Sequence, residues 1–265
     1  MLPSIGFIGA GNLAEAVIKG LNAGQDKPRI LAVDYVKERL TWLAEKYGVE
    51  GAELPDLVQA AGVIFLAVKP KDISAVLKSL AGYNLNGKLV ISVAAGTPLA
   101  VLEQGLPGVP VVRVMPNTSC AVLCSMTGLV QGSLATAENM AIAEEIFRQV
   151  GQVLRIPESK INAVTAISGS GPAYYYLFTE CLVAAGVELG LTAGEAEVLA
   201  RETLLGAGQM LALSGKSAAR LREDVTSPNG TTYAALQEFG QGNLAGLVKT
   251  AAQAAAKRAA EMEKE

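Results

Sequence analysis

The 265-residue chain contains no histidine. That excludes His-based triads and most zinc sites. Any acid–base or polar catalysis must fall to hydroxyls, backbone groups, Lys, Tyr or carboxylates. Cysteine is scarce: Cys120, Cys124 and Cys181 cannot form a disulfide framework. No further Cys or His completes a metal site around Cys120 and Cys124, so no metal is expected. All three read as buried small hydrophobes in a reducing compartment. No apolar run approaches the roughly 18 residues of a membrane span. The N-terminus enters a strand directly, without a charged region and cleavage site. A net charge of −3 gives no basic footprint for nucleic acid. The chain reads as soluble and cytoplasmic, with neither nucleic acid nor membrane as partner.

What is present is Ala, Gly and a regular alternation. Apolar strand patterns at 4–8, 29–33, 63–68, 88–94 and 111–114 alternate with helical spacing at 12–23, 36–47, 73–80 and 98–104. Two candidate edge strands, 128–131 and 152–155, flank a helix at 137–150. The run 63–68 is wholly apolar, as expected for a strand buried on both faces of a parallel sheet. This alternation predicts a doubly wound α/β sheet over residues 1–158. From Ser159 onward the pattern is helical only: 161–167, 172–189, 193–214, 218–223, 231–239 and 244–262. Residues 159–265 are therefore expected to form an all-α domain. Its long Ala-rich helices have little polar interruption, which suggests burial against a second subunit.

Gly6-Phe7-Ile8-Gly9-Ala10-Gly11-Asn12-Leu13-Ala14 follows the first strand and opens the first helix. Gly9 permits a sharp turn, and Gly11 lets the backbone approach a pyrophosphate. Ala14 still allows close helix–strand packing. This makes Gly9, Ala10, Gly11, Asn12 and Leu13 cofactor-binding candidates. Asp34 ends the second strand, twenty residues after Ala14. A carboxylate there accepts hydrogen bonds from ribose hydroxyls and repels a 2′-phosphate, which favours NADH over NADPH. Lys37 and Arg39 lie just beyond and could soften that bias. Asp34 could also cap the following helix.

Ligands of open α/β sheets bind at the carboxyl ends of the strands. Ala67, Val68, Lys69 and Pro70 end the third strand, and Lys69 could meet a phosphate or the nicotinamide region, or simply face solvent. Val93, Ala94 and Ala95, with Gly96, end the fourth in small residues that leave room for a flat ring. Asn117, after the fifth, could bond a carboxamide or cap the next segment. Ser168-Gly169-Ser170-Gly171-Pro172-Ala173-Tyr174 opens the first long helix with hydroxyls, and Pro172 suits a first helical turn.

The last motif is Val225-Thr226-Ser227-Pro228-Asn229-Gly230-Thr231-Thr232. Pro and Asn-Gly mark a turn, and the spacing of Tyr233, Leu236 and Phe239 after it is helical. A helix start can hold a carboxylate on its free N–H groups.

Taken together, segments 6–14, 67–70, 114–118, 168–174 and 225–232 resemble the pyrroline-5-carboxylate reductase family. The match runs in order over essentially the whole chain, and the last two motifs are highly specific. The resemblance implies a Rossmann-type domain followed by a helical substrate-binding and dimerisation domain. It implies homodimers with interlocked helices, which in many members assemble five to a decamer. The implied reaction is hydride transfer from NADH or NADPH to Δ1-pyrroline-5-carboxylate, giving L-proline. It places the hydroxyl of Thr232 at the ring nitrogen. It places Ser227 and the backbone N–H groups of Gly230, Thr231 and Thr232 at the substrate carboxylate. In such dimers the cofactor site of one subunit meets the helical domain of the other.

Three positions depart from the family pattern, one of them Leu54, near where some members place a polar cofactor contact, so no ligand role is assigned to it. Asn229 stands where many members have a second glycine, although Asn tolerates left-handed geometry. Asp34 stands where NADP-preferring members often carry a small hydroxyl residue. A β-hydroxyacid dehydrogenase would carry a lysine on the helix after the 168–171 loop, where this chain reads Pro172-Ala173-Tyr174-Tyr175-Tyr176. An imine reductase of other specificity, such as one for pyrroline-2-carboxylate, and a non-catalytic dinucleotide-binding regulator remain as alternatives. Intact Ser227, Thr231 and Thr232 speak against the regulator.

Overall fold

A computed structural model of the protein describes residues 2–24 and 27–264. Strands and helices alternate through the first half. They run β1 (Ile5–Ile8), α1 (Asn12–Ala23), β2 (Ile30–Val33), α2 (Lys37–Tyr47), β3 (Glu50–Gly51), α3 (Leu54–Ala60), β4 (Val63–Leu66), α4 (Ile73–Leu80), β5 (Leu89–Ser92), α5 (Leu99–Gly105), β6 (Val111–Met115), β7 (Ser125–Gln131), α6 (Ala137–Arg148) and β8 (Gly151–Arg155). The eight strands form one sheet in the order β3-β2-β1-β4-β5-β6-β7-β8. β1 pairs in parallel with both β2 and β4, so the strand order reverses beside it. β6 and β7 are antiparallel.

The apolar runs explain the layering. Successive strand residues face opposite sides, and both sides are covered. Phe7 and Phe65 point to one face, where they stack with ring centroids 4.7 Å apart and pack with Phe147, Val17 and Leu21. Ile8 and Leu66, their neighbours in sequence, point to the other face and pack with Leu57, Leu77 and Leu102. Each such fully buried side chain contributes about 2–3 kcal/mol of hydrophobic stabilisation.

Three details differ from the expected pattern. β3 and α3 were not expected. β3 is two exposed residues, and α3 is a seven-residue helix with a proline in its first turn, both too short to show a period. β7 begins at Ser125 rather than 128 and lies between β6 and β8, so it is not an edge strand. Its hydroxyls hide it: Ser125 and Thr127 are buried and their side-chain oxygens lie 3.4 Å apart. The cysteines also divide. Cys120 is buried, whereas Cys124 and Cys181 are exposed, so the expectation of three buried thiols holds for Cys120 alone. Burial pushes the Cys120 thiol above its ordinary value.

Arg113 on β6 is a charge inside an apolar strand, with its side chain only 5% exposed. Its guanidinium pairs with Glu158 at 2.9 Å and Glu263 at 2.8 Å. Glu158 also accepts from the N–H of Leu99 at 2.7 Å, at the start of α5. The network thus ties a strand, a helix start and the last turns of the chain.

No strand follows β8 among the described residues. α7 (Ile161–Val164) runs into a wide π turn at Thr165–Gly169. The helices α8 (Gly171–Glu188), α9 (Ala193–Leu213), α10 (Ala218–Asp224), α11 (Thr231–Gln241) and α12 (Leu244–Met262) follow. By spatial contact, residues 171–253 form one compact unit. The short helices around 158–170 and the end of α12 belong with the sheet. α9 starts in a capping box, in which Thr192 and Glu195 satisfy each other's backbone N–H groups. The helical unit is almost coreless by itself: within 171–253 only Gly171, Ala196 and Ala200 are buried. Leu205, Met210, Leu211, Leu247 and Val248 are each at least half exposed. Large apolar side chains exposed in such number point to an interaction face. No helix among the described residues is long and apolar enough to cross a membrane.

Candidate active site

The expected cofactor residues gather at the carboxyl ends of β1, β2, β4, β5 and β6, along one edge of the sheet. The strand order reverses between β1 and β4, the position where such sheets bind ligands. Gly9 turns here with φ +94°, and a Cβ on it would lie 2.6 Å from the carbonyl oxygen of Ala67. The glycine is required by the approach of the β1 and β4 ends. Gly11 differs. Its backbone is extended, and a Cβ there would meet no atom of the chain within 4 Å. The fold itself does not demand a glycine at 11, so the bare backbone suits the close approach of a ligand. Gly11 is the N-cap of α1 and supplies no side-chain cap, which leaves the first N–H groups of a 12-residue helix available to an anion.

Asp34 holds this loop. Its Oδ2 accepts from the N–H of Ala10 at 2.7 Å, and its Oδ1 accepts from Val36 at 2.9 Å. Each oxygen keeps a lone pair for a further donor. Lys69, in extended backbone before a short helical turn at Pro70–Asp72, is exposed. Its side chain has no partner among the described residues. Ala67 donates to the carbonyl of Ile8 at 2.8 Å and Val93 to that of Leu66 at 3.2 Å, so Ala67 and Val93 are fixed to neighbouring strand ends, with Val68 half-buried beside them. Ala94 and Ala95 line a cavity with Arg113, Met115, Asn162 and Met262. That cavity measures about 20 Å³, too small for a nicotinamide ring. Asn117 caps the turn at Thr118–Val122 by accepting from Ser119 at 3.1 Å. Its Nδ2 donates to the carbonyl of Ser168 at 3.1 Å. Of the two roles expected for Asn117, capping is the one its contacts display.

The second group of residues lies in the helical unit, at the start of α11. Ser227 accepts from the N–H of Gly230 at 3.1 Å, closing a turn with Pro228 and Asn229 at its centre. Asn229 has φ +56°, the left-handed geometry that a type II turn needs at that place. The departure from the family's glycine is therefore absorbed. Gly230 is the N-cap of α11 in extended backbone, where a Cβ would meet Ser227 Oγ at 2.3 Å. The N–H of Gly230 is engaged in the turn. Those of Thr231 and Thr232 sit in the first helical turn without a side-chain cap. Thr231 is exposed and Thr232 half-buried, and neither hydroxyl bonds the chain among the described residues. Threonines at these positions are not capping α11, because the cap position is Gly230. Asp224, ahead of the turn, is fixed by Lys216 at 2.7 Å and Arg220 at 2.8 Å.

Residues 158–262 match the family model described as pyrroline-5-carboxylate reductase dimerisation. Residues 4–96 match the one described as NADP oxidoreductase, coenzyme F420-dependent. A pyrroline-5-carboxylate reductase of Corynebacterium melassecola is 40% identical over 99% of this chain and 100% of its own length. The chain belongs to the pyrroline-5-carboxylate reductase family. The solved structure of the Coxiella burnetii member is 38% identical, covers 100% of both chains and superposes with a TM-score of 0.95. That of Plasmodium falciparum pyrroline carboxylate reductase, with NADP bound, is 27% identical over 98% of both chains at a TM-score of 0.86.

Two features of this family member escaped the sequence. Glu15, on the first turn of α1, pairs with Arg39 of α2. Arg113 carried a signal, since a lone charge in an apolar strand implies buried partners. The identity of those partners, at 158 and 263, could not be read from spacing.

Proposed function

We propose that the chain is an NAD(P)H-dependent oxidoreductase that reduces Δ1-pyrroline-5-carboxylate to L-proline, the final step of proline biosynthesis. The observation that carries this reading is the turn at 227–232. It combines an uncapped helix start and free hydroxyls in a chain without histidine, at the motif most specific to the family. The substrate carboxylate sits on Ser227 Oγ and the N–H groups of Thr231 and Thr232, where a helix start favours an anion. Gly230 contributes by leaving room for Ser227. Thr232 meets the ring nitrogen and orients it, directly or through water, as imine becomes amine. Protonation of that nitrogen makes the ring carbon a better hydride acceptor.

Residues Gly9 to Leu13 hold the dinucleotide pyrophosphate at the start of α1, and Asp34 takes the ribose hydroxyls through its remaining lone pairs. Lys69 offers a free ammonium to a phosphate. Ala67, Val68, Pro70, Val93, Ala94, Ala95 and Asn117 form the surrounding strand-end surface. The reduced nicotinamide, when bound, supplies the hydride. The carboxylate at 34 tilts the preference to NADH.

The uncovered apolar helices of 171–253 support a homodimer, in which residues 159–265 act as substrate-binding and dimerisation domain. A decamer of five dimers and a cytoplasmic location follow the family pattern. Oxidation of NADH and of NADPH, measured separately with Δ1-pyrroline-5-carboxylate, tests the proposal. Turnover to proline is expected, with the higher kcat/KM for NADH. No turnover with either cofactor defeats the proposal, and faster turnover of pyrroline-2-carboxylate would replace it with another imine reductase. A higher kcat/KM with NADPH overturns the role of Asp34.

A further inference from the structure

Arg39 is the cation closest in sequence to Asp34 whose side chain reaches the glycine loop. It lies on the first turn of α2, its Nε donating to the carbonyl of Ala10 at 2.7 Å. One terminal nitrogen donates to Glu15, and the guanidinium carbon lies 4.7 Å from the ring centroid of Trp42. Glu15 gathers other groups too: Tyr47 donates to it at 3.3 Å and Lys46 lies 3.8 Å away. Both Arg39 and Glu15 are about three-quarters buried, with side-chain exposures of 24% and 23%. The arginine is thus held on three sides: by a backbone carbonyl, a carboxylate and an indole face.

This arrangement bears on cofactor choice. Ala10 is gripped from both ends, its N–H by Asp34 and its carbonyl by Arg39. A nucleotide carrying a 2′-phosphate would bring its charge to Asp34, and relief would require a nearby guanidinium free to turn. Arg39 is near but its charge is already matched by Glu15. A charge-assisted, partly buried pair keeps its geometry better than an exposed one.

We propose that Glu15 is a positioning residue for cofactor selection: by holding Arg39 against the glycine loop it withholds the guanidinium from a 2′-phosphate and leaves the charge of Asp34 uncompensated. The inference rests on the dinucleotide reading of the loop. It adds that selectivity is set by three residues, Asp34, Arg39 and Glu15, rather than by the carboxylate at 34 alone.

The test is calorimetric and needs no turnover. Dissociation constants of ADP and of 2′,5′-ADP are measured for the full-length protein and for E15Q, R39Q and E15Q/R39Q. E15Q is nearly isosteric, and an unchanged Kd for ADP reports an intact loop. The expected result for E15Q is 2′,5′-ADP binding tightened about fivefold relative to ADP, the worth of one modest charged contact. That gain should vanish in E15Q/R39Q, because it acts through Arg39. R39Q alone should leave the ratio within about twofold of the unaltered protein, since a withheld guanidinium contributes little. A fall in 2′,5′-ADP affinity in R39Q, or no change of ratio in E15Q, would overturn the inference while leaving the reductase reading intact. An unaltered protein that binds neither nucleotide would overturn both.

Discussion

Ser227 Oγ lies over Gly230 so closely that a Cβ at 230 would meet it at 2.3 Å. The backbone of Gly230 is extended, so its conformation would suit any residue. The hydroxyl of Ser227 is the nearest obstacle to a side chain there, with the Ser227 carbonyl oxygen next at 3.2 Å. Gly230→Ala should therefore push Ser227 out of place without unfolding α11. The expected outcome is a KM for the imino acid raised on the order of tenfold, with the Kd for NADH unchanged. Steady-state kinetics beside a nucleotide titration checks both.

Gly9 and Gly11 belong to one motif but answer to different constraints. Alanine at 9 must adopt φ +94° and clash with the Ala67 carbonyl. A loss of about 2–4 kcal/mol in urea-unfolding free energy is expected. Alanine at 11 meets nothing in the chain and sits in ordinary extended backbone. It should cost within about 1 kcal/mol, mainly as a poorer N-cap. Its effect should appear instead as weakened dinucleotide binding.

Arg113 serves two carboxylates at once. Arg113→Met leaves Glu158 and Glu263 facing one another without their shared cation. Removing one partner of a buried ionic group typically costs 3–5 kcal/mol. The partial exposure of both carboxylates reduces that to about 2–3 kcal/mol. Urea unfolding measures the loss, and Glu263→Gln should give a smaller one because Glu158 remains paired.

The doubly wound half was legible because its central strands are largely apolar and its helices periodic. Val63–Leu66 and Asn12–Ala23 needed no tertiary information. β3 and α3 were missed because Glu50–Gly51 is defined only by its pairing with Leu31 and Ala32. β7 was shortened because its buried hydroxyls look like surface. In the site, the turn at 227–230 was readable from Pro-Asn-Gly. The engagement of the Gly230 N–H was not, since it depends on how that turn closes. Asp34 was found by its distance from Ala14. Its hold on Ala10 depends on the β1–β2 register, which spacing does not reveal.

Glu144 links α6 to β8 through Arg155, with Arg148 also 3.4 Å away. The hydrogen bond from Arg155 is the main cause holding its carboxyl below the usual carboxylate range. A lowered folded value means that the stabilisation is full above the unfolded carboxylate pKa of about 4.3. It is lost as pH falls through the folded value. Glu144→Gln should lower stability at pH 7 by up to about 1 kcal/mol, given the exposure of Arg155. The deficit should shrink below about pH 4. Thermal melts of both proteins across that range check the sign.

The proposed chemistry rests on the 227–232 turn, with Thr232 at the ring nitrogen. Steady-state turnover of Thr232→Ala with Δ1-pyrroline-5-carboxylate and NADH tests it most directly. We expect kcat reduced roughly ten- to hundredfold, with NADH affinity and thermal stability nearly unchanged. Full turnover in that variant would contradict it.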